Sequence, residues 1–591
     1  LKQQSSSRLS SFRSRFSSNQ FLLIASSLVG LVSGLAAVAL KTAVYAIHQL
    51  LTTFPRAALL QYIYLLFPLG GILLTVAFIH YFLKDSFGKG SAHVLYTIAR
   101  KSSNIERQMT YSHIITSALT VGFGGSAGLE APIVVTGSAI GSNFGRLFQF
   151  HYRERTVLLA AGAAAGIAAV FNAPIAGLMF AIEVLIVDLS LSSFIPLIIA
   201  SATGALLSKM ILNENILFFF TLRQPFNYFN VPYYFGLGLL TGFISIYYIR
   251  TFVRIEAFFK LFREHRVLKA VTGGLILGLL ILIFPPLFGE GYQSIKYLAN
   301  ETPRMLLQDN LLAVHLQNEW IFLLFIFMVG ITKIVAASMT IGSGGNGGNF
   351  APSLFVGAFS GYAYAKFLNQ TFHLSIPVGN FSLVGMAGIL CGVMHAPLTA
   401  VFLIAEITGG YELMIPLLIV SSVTFVLVRH FEPYSLDKKD LARRGDLLTE
   451  NKDKNILSLL SLSEVIEQDY TTVPRDATLN DLTTIISSSK RNIFPVLDES
   501  EKLLGIITLD EIKEMLFELE DYSEILAVEL MNRPAAVVEK TESLESIMQK
   551  FETTKKWNLP VVDNSRYVGF VSKSGILSRY REHLRKNFSV E

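Results

Sequence analysis

The chain has 591 residues, 52% of them hydrophobic and 16% charged, with a formal net charge of +5 and a mean hydropathy of +0.49. A soluble domain carries about 25% charged residues, so these values exclude an ordinary soluble globular chain. The single cysteine, Cys391, lies among apolar residues; it excludes intramolecular disulfides and clustered thiolate metal sites and reads as a buried small hydrophobe.

In chain order, residues 1–19 are Ser-rich and carry Lys2, Arg8, Arg13 and Arg15. They are too polar to be the core of a signal peptide, so a disordered basic arm ahead of a retained helix is expected. Apolar runs able to cross about 30 Å of hydrocarbon follow at 21–46, 59–82, 195–211, 233–248, 268–283, 320–337 and 415–428. Between them, at 110–190 and 340–410, Gly, Pro, Ser and Asn interrupt the hydrophobicity. Irregular backbone at membrane depth is tolerated only inside protein or against a water-filled cavity, so short, broken, partly re-entrant helices are expected there. Roughly half of all Asp, Glu, Lys and Arg lie beyond Glu432, the composition shift of a domain boundary. Basic residues before the first run and Arg429, Lys438, Lys439, Arg443 and Arg444 after the last put both termini on the cytoplasmic side.

The two interrupted regions are written over one template. Gly122-Phe-Gly-Gly-Ser-Ala-Gly-Leu-Glu130-Ala-Pro132, continuing to Gly137 and Gly141, superimposes without a gap on Gly342-Ser-Gly-Gly-Asn-Gly-Gly-Asn-Phe350-Ala-Pro352, continuing to Gly357 and Gly361. After a three-residue slip, Asn172-Ala-Pro174 with Glu183 matches His395-Ala-Pro397 with Glu406. Membrane proteins built from such halves carry their site where the halves meet.

A helix starting after a glycine-rich turn points unpaired N–H groups and the positive end of its dipole ahead, so converging helix starts form an anion site without a full positive charge. The turns before Pro132 and Pro352 have this form, because proline suits the first helical turn; Gly90-Ser91-Ala92-His93-Val94 is a third candidate start. Glu130 is the one acid placed within the motif, where an ionised carboxylate would compete with a bound anion and a protonated one would withdraw. Glu183 and Glu406 read as structural acids near helix ends, His93 as a packing or interfacial residue, and Arg146 as a cation that snorkels to the interface. The glycines taken alone would be helix-packing contacts.

At these residues the sequence resembles the CLC family of chloride channels and chloride/proton antiporters. Gly128-Leu-Glu130-Ala-Pro132 is similar to its G-R/K-E-G-P segment, Gly348-Asn-Phe350-Ala-Pro352 to its G-x-F-x-P segment, and Gly90-Ser91-Ala-His-Val94 to a degraded G-S-G-I-P; Ala163 to Pro174 is also close to the family's wording. The resemblance covers 20–435 and implies an all-α polytopic membrane protein of two inverted repeats, about 20–212 and 231–435, with one anion pathway per subunit of a homodimer. It implies that Glu130 is the gating and proton-carrying glutamate, that Ser91 faces the central anion site, and that the backbone N–H groups of Asn349, Phe350 and Ala351 line the anion sites. The antiporters' internal proton glutamate aligns with Val184, the pattern of the family's channels. The family's pore tyrosine aligns without gaps with Asp437, and Tyr434 fills that place only after a shift of three residues, about one helical turn. Tyr434 is preferred, because a second acid facing an anion opposes binding.

The tail repeats as well: Arg491-Asn-Ile-Phe-Pro-Val-Leu-Asp498 with Leu504 to Thr508 returns as Trp557-Asn-Leu-Pro-Val-Val-Asp563 with Val568 to Ser572. Each unit reads as strand, turn, strand and helix, and the pair resembles tandem CBS modules, a cytoplasmic α/β regulatory unit that often binds adenine nucleotides. Thr508 is followed by Asp510 and Glu511 but Ser572 by Gly575, so one half at most is equipped for a ribose, and nucleotide binding and a purely assembly role both stay open. The expected organisation is a transmembrane domain at 20–445, a linker at 446–455, and modules at 456–516 and 525–586. The expected activity is chloride/proton antiport at the plasma or inner membrane, with a passive voltage- or pH-gated channel as the alternative. An intramembrane enzyme is a distant one, since no second catalytic residue or metal-ligand spacing accompanies Glu130. Chloride, protons and lipid are the expected partners, with no required cofactor, metal or nucleic acid.

Overall fold

The structure, a computed structural model, describes residues 17–52, 66–84, 87, 88, 90–185, 191–212, 226–262, 265–307, 316–444, 461–513, 515 and 525–588. The chain divides into two units between Leu447 and Leu448. Residues 1–16 of the expected arm and all of the expected linker lie outside the described residues; Ser18 and Asn19, assigned to the arm, open the first helix instead.

The first half of the membrane unit runs α1 (Ser18–Thr52), α2 (Leu66–Leu83), α3 (Gly90–Arg100), α4 (Met109–Gly122), α5 (Glu130–Leu147), α6 (Tyr152–Phe171), α7 (Pro174–Phe180) and α8 (Leu191–Leu212). The second runs α9 (Val231–Lys260), α10 (Arg266–Ile283), α11 (Tyr292–Ala299), α12 (Glu319–Gly342), α13 (Phe350–Phe372), α14 (Val378–Met394), α15 (Pro397–Ile407) and α16 (Met414–Phe431), with α17 (Leu436–Arg444) after it. Eight helical segments among the described residues are long and apolar enough to cross a membrane. Seven coincide with the apolar runs read from the sequence, residues 59–65 of the second run lying outside the described residues; the eighth is α6, whose Ala- and Gly-rich length is buried without a break from Val157 to Phe171.

The motifs explain the helix breaks. Asn172 and His395 each take a left-handed conformation (φ 55° in both) and end α6 and α14. Two residues later Pro174 and Pro397 start α7 and α15, where the missing proline N–H leaves no hydrogen bond unmade. Between them the paired helices pack at backbone contact. A Cβ on Gly137 would lie 2.1 Å from the Gly162 carbonyl oxygen, and one on Gly357 2.3 Å from that of Gly385, so the same glycine pair closes α5 onto α6 and α13 onto α14. The three-residue slip between the repeats lies at the connections between these helices.

In the second unit, β2 (Val473–Pro474), β3 (Ile493–Leu497) and β4 (Leu503–Thr508) form a sheet of order β2-β3-β4. β1 (Ile466–Glu467), β5 (Val538–Glu539), β6 (Asn558–Asp563) and β7 (Arg566–Ser572) form another, of order β1-β7-β6-β5. Each sheet holds one strand–turn–strand unit of the sequence repeat as an antiparallel pair, β3 with β4 and β6 with β7. Leu482, Phe494 and Ile507 fill one core, and Ile547, Phe551 and Val571 the other. Because β1, the first strand of this unit, pairs with β7, its last, the two modules are interlocked.

Candidate functional site: the junction of the two repeats

The halves meet at the backbone. Gly128 N–H donates to the Gly348 carbonyl at 2.9 Å and Gly348 N–H to that of Gly128 at 2.8 Å, which fixes the starts of α5 and α13 side by side. The turns are tied by an exchanged pair: Ser126 N–H donates to Thr340 Oγ1 at 3.0 Å, and Asn346 N–H to Thr120 Oγ1, also at 3.0 Å. Each half gives the other what it receives, the relation expected of inverted repeats about a pseudo-two-fold axis.

Glu130 is the first residue of α5 and is 1% exposed. Its Oε1 accepts from the Tyr292 hydroxyl at 2.5 Å. The amide N–H groups of Glu130 and Ala351 lie against the same carboxyl group, while Oε2 makes no full hydrogen bond among the described residues. A carboxyl group thus sits at the N-terminal end of α13, where dipole and amides favour negative charge. Glu130 also borders a cavity of about 720 Å³ whose wall includes Ser91, Asn349, Phe350 and Asp437. The third helix start reaches the same space: Gly90, at φ +65°, opens α3 and places Ser91 on that wall.

The voltage gated chloride channel family model matches residues 70–429, well over half of the chain. The chain belongs to the CLC family. An H(+)/Cl(-) exchange transporter, ClcA, of Vibrio vulnificus is 30% identical over 429 residues, covering 70% of this chain and 87% of its own. Chloride channel protein CLC-e of Arabidopsis thaliana is 29% identical over 73% of this chain, which spans 66% of the plant protein's length. The crystal structure of a slow cyanobacterial Cl-/H+ antiporter superposes with a TM-score of 0.62 at 23% identity, covering 73% of this chain and 98% of that one. CBS domain models match 462–518 and 527–582. The protein is therefore a multi-pass membrane protein of the CLC fold with a tandem CBS pair.

Within the CLC unit Tyr434 and Asp437, the two candidates for the pore position, are placed differently. Tyr434 is 46% exposed and lies off the cavity wall, whereas Asp437 is on it with Ser91 and lies against the serine side chain. The cause is local: the chain leaves α16 extended at Glu432, and α17 begins only at Leu436, which carries Asp437 and not Tyr434 to the cavity. His93 is also on the cavity wall. Val184 is buried at 5% exposure, and Arg146 Nη2 donates to Asn143 Oδ1 at 2.8 Å. Cys391 is buried.

One cluster beside Glu130 was not read from the sequence. Tyr292, Glu290, Lys41 and His48 line a second cavity of about 690 Å³, which Leu129 also borders. The Leu129 amide lies against the Glu290 carboxyl group. Lys333, fully buried in α12, donates to the Leu287 and Gly289 carbonyls at 3.3 and 2.7 Å and stands 4.8 Å from the Phe355 ring centre. Two signals were present: a lysine inside an otherwise apolar span, and Gly289-Glu-Gly291, whose glycines take φ of +62° and +88° just before α11.

In the CBS pair, Thr508 and Glu511 cap α18 (Leu509–Ile512), with Thr508 N–H donating to Glu511 Oε2 at 3.3 Å. Ser572 Oγ donates to Glu467 and accepts from Gly575 N–H at 2.9 Å. Both candidate ribose positions are thus engaged within the protein.

Proposed function

We propose that this protein carries chloride across its membrane in exchange for protons, with Glu130 as the gate and the proton carrier. The observation that carries this reading is the Glu130 carboxyl group lying at the N-terminal end of α13, beside the Ala351 amide, on the wall of a cavity shared with Ser91, Asn349 and Phe350. An ionised Glu130 fills the place an anion would take; once protonated and swung aside, it leaves that place to chloride. The exchange activity named for the Vibrio relative supports the same reading. A passive channel is favoured by one observation, the apolar Val184 where the antiporters' inner proton glutamate is expected. The homodimer, the cytoplasmic termini, a transport domain ending near 445 and regulatory modules at 456–516 and 525–586 belong to this reading, as does an adenine nucleotide at the CBS pair as an optional regulator.

The test is Glu130→Gln in liposomes. A neutral side chain of the same size should remove proton coupling and leave chloride movement; pH-dependent exchange that survives the substitution would refute the assignment.

A further inference from the structure

The cavity beyond Glu130 holds a second carboxylate in a position to contest the anion. Ser91 is 2% exposed, and its hydroxyl has one proton to donate. Ser91 and Asp437 border the same cavity, and the hydroxyl lies against the Asp437 carboxylate. Chloride is a pure acceptor, so it and an ionised Asp437 cannot both take the Ser91 proton. The Tyr248 hydroxyl donates to Asn349 Oδ1 at 3.2 Å, at the start of α13. The other titratable groups on the cavity wall are His93, Tyr96, Glu256, Lys260, Lys269 and Asp440, with Lys438 adjacent on α17. Lys260 is shared between Glu256 at 3.4 Å and Asp440 at 3.7 Å.

We propose that Asp437 is a second carboxylate gate, competing with chloride for the Ser91 hydroxyl as Glu130 competes at the start of α13. This rests on the reading that the cavity carries chloride. Either the carboxylate or a chloride ion supplies the single negative charge at Ser91. A proton taken from cavity water onto an Asp437 oxygen turns the carboxylate into a neutral acid and frees the serine donor for chloride; its release restores the block. Asp437 then gives the inner end of the pathway a proton-accepting group that Val184 does not supply.

Chloride binding to the purified full chain, measured by titration calorimetry at pH 7.5, tests this with the wild type, Asp437→Asn, Glu130→Gln and the double variant. Asp437→Asn should tighten chloride binding at least about fivefold, and the gain should vanish when Ser91→Ala is added, which a merely structural role would not produce. Asp437→Ser serves as a second variant should the asparagine protein fail to fold. Unchanged or weaker binding in the Asp437 variants, with tighter binding in Glu130→Gln, overturns the second gate alone. Absence of chloride binding in the wild type and in Glu130→Gln overturns the transport reading and this proposal with it.

Discussion

Glu183 and Glu406, equivalent residues of the two repeats, each cap the other's half of the membrane unit. Glu183 Oε1 accepts from Leu398 N–H at 2.9 Å, and its Oε2 from Thr399 N–H and the Thr399 hydroxyl, both at 2.7 Å. Glu406 accepts from Ile175 N–H at 3.0 Å and Ala176 N–H at 2.8 Å. Each carboxylate thus lies at the start of the opposite half's proline-initiated helix, α15 or α7, where orphan N–H groups and the dipole favour an anion. Hydrogen bonds to charged groups contribute about 1.5–3 kcal/mol. Glu406→Ala should therefore destabilise the membrane unit by about 2 kcal/mol and leave anion preference unchanged. Thermal unfolding in detergent, with selectivity measured in parallel, checks this; lost selectivity at unchanged stability would move Glu406 into the pathway.

Gly128 touches the gate itself. A Cβ there would stand 1.9 Å from Glu130 Oε2 and 2.9 Å from the Ala351 Cβ. Gly128→Ala should expel the Glu130 side chain from the start of α13 and raise chloride flux that carries no protons, toward the level of Glu130→Gln. Flux and coupling like those of the wild type would show that the carboxyl group does not need this position.

Tyr292 donates to Glu130 at 2.5 Å, and a charge-assisted bond of this kind stabilises by about 1.5–3 kcal/mol. Tyr292→Phe removes the donor and leaves the ring contact with Phe171. The carboxylate should then yield the site more readily, and chloride should bind about tenfold more tightly at neutral pH, since 1.4 kcal/mol corresponds to a factor of ten. Unchanged affinity would mean that the hydroxyl does not hold the gate closed.

How much was legible in the sequence followed from how local each signal is. The helix breaks and the junction of the repeats could be read because Gly128, Gly348, Pro132 and Pro352 sit at fixed spacing in both halves, and turn chemistry is set by neighbours in the chain. The role of Glu183 and Glu406 was read only as structural; their partners lie 215 and 231 residues away, at Leu398 and Ile175, and spacing cannot pair them. Lys333 was hidden in the apolar run at 320–337, its charge answered by carbonyls of a loop more than forty residues earlier. The preference for Tyr434 over Asp437 rests on a rule about charge, whereas which of the two borders the cavity depends on where α17 begins, at Leu436.

The tail is separable in this account. Its modules have their own cores, around Phe494 and Phe551, and Glu130, Ser91, Asn349 and Phe350 all lie before residue 448. Removal of residues after 455 should preserve anion selectivity within about twofold of the full chain, a difference under 1 kcal/mol, and alter regulation or assembly. Loss of anion preference on truncation would make the tail part of the pathway.

Proton movement against its gradient, driven by chloride in liposomes holding the full chain, tests the central claim most directly. Exchange through Glu130 predicts that an imposed chloride gradient pumps protons in the opposite direction, with both fluxes stopping together when the gradient is spent. Chloride flux with no uphill proton movement would contradict it and leave a passive channel.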